Sequence, residues 1–88
     1  MPELSRFYGI SIRMFWERES RHLPHFHAKY GSFDASFGFD PVGLIAGELP
    51  TRQRRLVEAW AELHSAELAD NWKRAFENTP TFRIDPLR

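Results

Sequence analysis

The sequence predicts an α+β domain: an antiparallel sheet of four to five strands with two helices packed on one face. Three observations lead there. Runs of period two fill the chain up to Leu49, and runs of helical period fill Arg52 to Asn78. Gly31-Ser32 separates two alternating runs, which marks a tight hairpin. The remaining strands are joined by short turns, and both helices come after the meander. The expected order is β-β-β-β-α-α-β, within a single domain spanning residues 1–88.

Phe7 to Trp16 reads as the first strand, with Tyr8, Ile10, Ile12, Met14 and Trp16 on the core face. A charged connection, Glu17 to Leu23, follows. Pro24 then opens His25-Phe26-His27-Ala28-Lys29-Tyr30, and side chains two apart on a strand share a face. Phe26, Ala28 and Tyr30 point one way; His25, His27 and Lys29 point the other. A type II′ turn at Gly31-Ser32 pairs Tyr30 with Phe33, Ala28 with Ala35 and Phe26 with Phe37. The same register sets Lys29 opposite Asp34 and His27 opposite Ser36. A slip by one residue would mix the apolar and polar faces.

Asp40-Pro41-Val42-Gly43 has turn chemistry. Leu44 to Leu49, interrupted by Gly47, reads as an edge or bulged strand. Thr51 is the expected cap of the first helix. On a helical wheel Leu56, Val57, Trp60 and Leu63 centre near roughly 30°, and Leu68, Ala69, Trp72, Ala75 and Phe76 near roughly 160°. One straight helix cannot bury both stripes, so a break near His64-Ser65 is predicted, with Ser65 capping the second helix. Asn78-Thr79-Pro80 ends it. Thr81 to Leu87 reads as a short strand or extended tail.

Twelve basic and twelve acidic residues cancel, so no global field favours nucleic acid or membrane, and a basic patch has to be local. Aromatic residues make up 15%, which points to a core of few, large side chains. Without cysteine, a metal can be held only by histidine and carboxylate. Neither a signal peptide nor an apolar stretch of spanning length is seen, so a soluble cytoplasmic protein is expected.

Chemistry concentrates on the polar strand face. His25 and His27 can chelate one divalent ion such as zinc, with His22 or Asp34 as a third ligand. They can equally act as general acid and base, with Lys29 or Arg13 stabilising negative charge. That set suits RNA phosphodiester cleavage. Plain surface histidines would explain the same residues. Arg52, Arg54 and Arg55 open the first helix, where each cation is disfavoured by about 0.3–1 kcal/mol. A helix start of that kind suits phosphate or a carboxylate-rich partner. Solvated pairs of Arg54 and Arg55 with Glu58 are the simpler account. Trp60, His64 and Trp72 read as core and capping residues.

Ser5-Arg6-Phe7-Tyr8-Gly9-Ile10, Pro24 to Gly31, and Gly47-Glu48-Leu49-Pro50 stand in a familiar order and spacing. So do Trp60 to His64, Glu67-Leu68 with Asn71-Trp72, and Arg83 to Leu87. Over nearly its whole length the chain resembles the bacterial family catalogued as domain of unknown function 4160. Members of that family are often encoded beside a small protein of another uncharacterised family, domain of unknown function 2442. The resemblance therefore implies a two-protein module of toxin–antitoxin type. Family members carry two prolines before the His-Phe-His and a histidine four residues ahead; here Pro24 stands alone and His22 lies three ahead of His25.

Three readings follow. The first is the toxin-like member of the two-protein module that the resemblance implies; the residues themselves suggest ribonuclease-like chemistry for it at His25 and His27, with phosphate held by Arg13, Lys29 and Arg52, Arg54 and Arg55. The second is a binding module that meets a small cognate protein, or its own copy, through the open sheet face or the Leu44–Leu49 edge. The third is a metal-binding domain. The expectation taken forward is the two-protein module, with this chain as its toxin-like member and its chemistry left open among these readings.

Overall fold

The computed structural model describes residues 3–14 and 23–88. Five strands come first: β1 (Glu3–Phe7), β2 (Ile10–Arg13), β3 (His25–Tyr30), β4 (Phe33–Phe39) and β5 (Val42–Glu48). Two helices follow, α1 (Thr51–Leu63) and α2 (Ser65–Phe76). Each strand pairs antiparallel with its sequence neighbours, in the order β1-β2-β3-β4-β5. The protein is α+β.

The stretch predicted to begin one strand at Phe7 is instead broken by a hairpin turn: Phe7 ends β1 and β2 starts at Ile10. Tyr8 and Gly9 both take positive φ, 51° and 79°, the geometry of a type I′ turn between β1 and β2. Tyrosine is not a usual residue there, so the turn does not show in the sequence. Ile10, Ile12 and Met14 are buried as expected, whereas Tyr8 is 53% exposed. Phe15, Trp16 and the connection as far as His22 lie outside the described residues.

In β1 the register slips between Glu3 and Ser5, so Leu4 and Ser5 are both fully buried in succession. That bulge turns Glu3 onto the face of its partner Arg13.

The β3–β4 hairpin has the predicted register throughout, including Lys29 opposite Asp34 and His27 opposite Ser36. Gly31 takes φ 58° at the first central position of its turn. Strand β5 begins at Val42, two residues before the prediction. Its irregularity falls at Ile45: Ser36 opposes Ala46 and Phe37 opposes Leu44, leaving Ile45 extra. Gly47 has φ 75° and sits so close to β4 that a Cβ would run into the Asp34 carbonyl oxygen.

The break between the helices falls at His64 as predicted. The predicted caps do not hold. Thr51 and Ser65 are the first helical residues, preceded by Pro50 and His64, and neither helix has a side-chain cap. Backbone bonding runs across the junction instead, with Leu68 N–H donating to the His64 carbonyl at 2.9 Å.

The chain forms no strand after α2, so the order is five strands and then two helices. Residues 81–88 run extended and make one rung to β1, Ile84 N–H to the Leu4 carbonyl at 2.7 Å. Helix side chains take other polar groups of the tail: Trp60 Nε1–H donates to the Asp85 carbonyl at 2.8 Å. A tail bonded mainly to side chains cannot build a ladder.

Trp60, fully buried, packs on Phe7 at 5.5 Å and Phe26 at 5.7 Å between ring centroids. Phe26 in turn stacks on Phe37 at 5.5 Å. Adjacent residues of β3 reach different helices: Phe26 meets Trp60 of α1, and His25 meets Trp72 of α2 at 5.3 Å. No helix among the described residues is long and apolar enough to cross a membrane.

Candidate functional site

Strand registry assembles the polar face from two cross-strand rows. One runs Glu3, Arg13, His27, Ser36; the other runs Arg6, Ser11, Lys29, Asp34, Glu48. Directly opposite residues of paired strands hold their side chains within reach of one another. Arg13, which sequence spacing alone could not join to His27 and Lys29, is therefore their neighbour across β2 and β3.

His25 and His27 stand edge to face, with ring centroids 5.0 Å apart. His25 is only 5% exposed, packed between His27 and Trp72. Its Nδ1 lies 2.9 Å from the Leu23 carbonyl, which can only accept, so Nδ1–H is the donor of that bond. His27 is half-buried, and its Nδ1 is 3.3 Å from Ser36 Oγ. Lys29 is exposed. Arg13 Nε–H donates to Ser11 Oγ at 3.3 Å, which lays the guanidinium along its own strand.

Glu3 organises the β1 side of this face. Ser11 Oγ–H donates to its carboxylate at 2.6 Å, and Arg6 approaches the same oxygen at 2.8 Å. Arg83 of the tail reaches the other oxygen at 3.6 Å. The Ser11 hydroxyl first, and Arg6 second, hold the Glu3 carboxyl below its ordinary range. Glu3 and Ser11 were not among the predicted site residues. The bulge that buries Leu4 beside Ser5 breaks the alternation that would have announced β1.

The remaining predicted residues are placed elsewhere. Arg52, Arg54 and Arg55 open α1, which leaves β5 beyond Glu48. Glu48 opposes Asp34, and Asp34 opposes Lys29, whereas His25 pairs with Gly38 at the other end of the sheet. The arginines thus lie toward the Lys29 end and away from His25. Arg54 Nε is buried without a hydrogen-bond partner among the described residues. Among the described residues no group of three metal-ligating side chains converges, and His22 lies outside them.

His64, at the helix junction, bonds the Glu67 carboxylate through Nδ1 at 2.6 Å and packs on Trp60 at 5.6 Å. The predicted packing of His64 against Trp60 is thus present.

The family model described as Domain of unknown function (DUF4160) matches residues 9–73. No curated protein and no solved structure matches the chain.

Proposed function

Because the chain belongs to the DUF4160 family, we propose that it is the toxin-like member of a two-protein module and acts on RNA from the polar face of its sheet. The observation that carries this reading is the packing of two imidazoles at 5.0 Å with Arg13 and Lys29 beside them. In this reading α1 lies over the apolar face through Trp60, α2 reaches His25 through Trp72, and the His27–Lys29 part of the polar face stays accessible. The seating of Trp60 on Phe7 and Phe26, and the exposure of Lys29 and Asp34, support it.

The chemistry asks for a base, an acid and cations. One imidazole takes the proton of a ribose 2′-hydroxyl as that oxygen attacks phosphorus. The other gives a proton to the departing 5′-oxygen as its bond to phosphorus breaks, leaving a cyclic phosphate. His25, with Nδ1 tied to the Leu23 carbonyl, keeps Nε2 in a fixed orientation for proton transfer. His27, half-buried, stands beside it. Arg13 and Lys29 stabilise the charge that builds on the phosphoryl oxygens. A small cognate protein encoded alongside would restrain the activity.

Growth of a bacterial host on inducing this chain tests the proposal, beside His27→Ala and a His25→Ala/His27→Ala double variant. Arrest by the wild type, with cleaved RNA, and relief in His27→Ala at unchanged circular dichroism are expected. His27 is half-buried, so its loss is the safer variant for the fold. Normal growth with soluble, folded wild-type protein would overturn the reading.

A further inference from the structure

The two edges of the sheet are treated differently. The β1 edge is covered by the tail, through Ile84 N–H to the Leu4 carbonyl and Arg83 to the Glu3 carbonyl at 3.2 Å. The β5 edge has no strand beyond it among the described residues. It presents Leu44 and Ile45, 39% and 42% exposed, on a strand of seven residues. An uncovered edge of that length is a template for another strand.

Its charges say which strand. Glu48 stands directly opposite Asp34, and like charges directly opposite destabilise a sheet. Neither carboxylate has an ion pair among the described residues. At the other end Asp40, also exposed, precedes β5. The open edge is therefore apolar in the middle and acidic at both ends.

From this we infer that β5 accepts a strand of the cognate protein, apolar at its centre and carrying Lys or Arg at both ends. A cation set beside Glu48 would relieve its repulsion with Asp34, and main-chain bonds would supply affinity as in other strand additions. A second copy of this chain fits less well. Antiparallel pairing of two β5 strands about Leu44 and Ile45 brings Glu48 of one copy beside Asp40 of the other. Acid meets acid at both ends.

The inference takes only the existence of a partner from the reading above, and its test does not use the histidines. The probe is a labelled peptide of about nine residues, alternating valine and threonine with lysine at both ends. Its control carries glutamate at both ends. The lysine peptide should bind the full chain about tenfold more tightly than the control, the scale expected when end charges reverse sign. In the Glu48→Lys variant, which alters an exposed side chain, that preference should narrow or invert. Amide exchange should slow in β5 and not in β1. Equal binding of the two peptides, no binding of the lysine peptide, or protection elsewhere would overturn the inference. So would a stable dimer of the chain that the peptide fails to dissociate. His27→Ala should bind the peptide as the wild type does, whatever the growth assay shows.

Discussion

Asn71 holds Phe82 with both ends of its side-chain amide. Nδ2–H donates to the Phe82 carbonyl and Oδ1 accepts from the Phe82 N–H, each at 2.9 Å. The asparagine is fully buried on α2, so it acts as a one-residue strand partner for the tail. This pair helps decide where residues 81–88 lie, and with them the cover over the β1 edge.

Removing it should be costly. Asn71→Ala loses two hydrogen bonds and strands two backbone groups, a loss of about 2–4 kcal/mol. For a domain of this size that lowers the melting temperature by about 8–30 °C. Asn71→Asp should also destabilise, because an ionised carboxylate accepts from the N–H but cannot donate to the carbonyl. Thermal melts of the three proteins decide it, and a loss below about 1 kcal/mol for Asn71→Ala would refute the clamp.

Tyr8 offers a gain. It holds φ 51° in a type I′ turn while 53% exposed, and a left-handed backbone disfavours a bulky side chain by roughly 1–2 kcal/mol. Asn-Gly is the preferred pair for that turn. Tyr8→Asn should therefore raise the urea midpoint, with a gain of about 0.5–1 kcal/mol set against the lost edge contact with Phe7. An unchanged or lower midpoint would mean that Tyr8 packing outweighs its backbone.

Glu3 predicts a pH dependence. Its carboxyl is held below the ordinary value of 4.5 by the Ser11 hydroxyl first and Arg6 next. A depressed folded-state carboxyl adds stability that is complete above the ordinary value and is lost as pH falls through the folded value. Wild type should accordingly lose stability below about pH 4.5 more steeply than Glu3→Gln, while the variant is the less stable at neutral pH. Chemical denaturation from neutral to acid pH measures both slopes. Parallel slopes would remove Glu3 from the account.

Local pattern carried far in this chain where neighbouring residues sufficed. Strict alternation from His25 to Phe37 with glycine between determined a full hairpin register, because any slip would have buried Lys29 and Asp34. Two stripes roughly 130° apart on the wheel determined the break at His64, since a straight helix has one core face. His25, His27 and Lys29 shared a face for the same reason of period.

What the tertiary structure decided lies where local rules are broken or long-range partners choose. Leu4 and Ser5 are buried in succession only because β1 bulges against β2, and that bulge brings Glu3 to Ser11. Tyr8 turns left-handed because the flanking strands close on each other. Thr81 to Leu87 had the look of a strand, but Asn71 and Trp60 take polar groups of its backbone before a ladder can form. Trp72 meets His25 across α2 and β3, a contact no sequence spacing encodes. Periodicity says which side a residue faces. Only packing says what stands there to meet it.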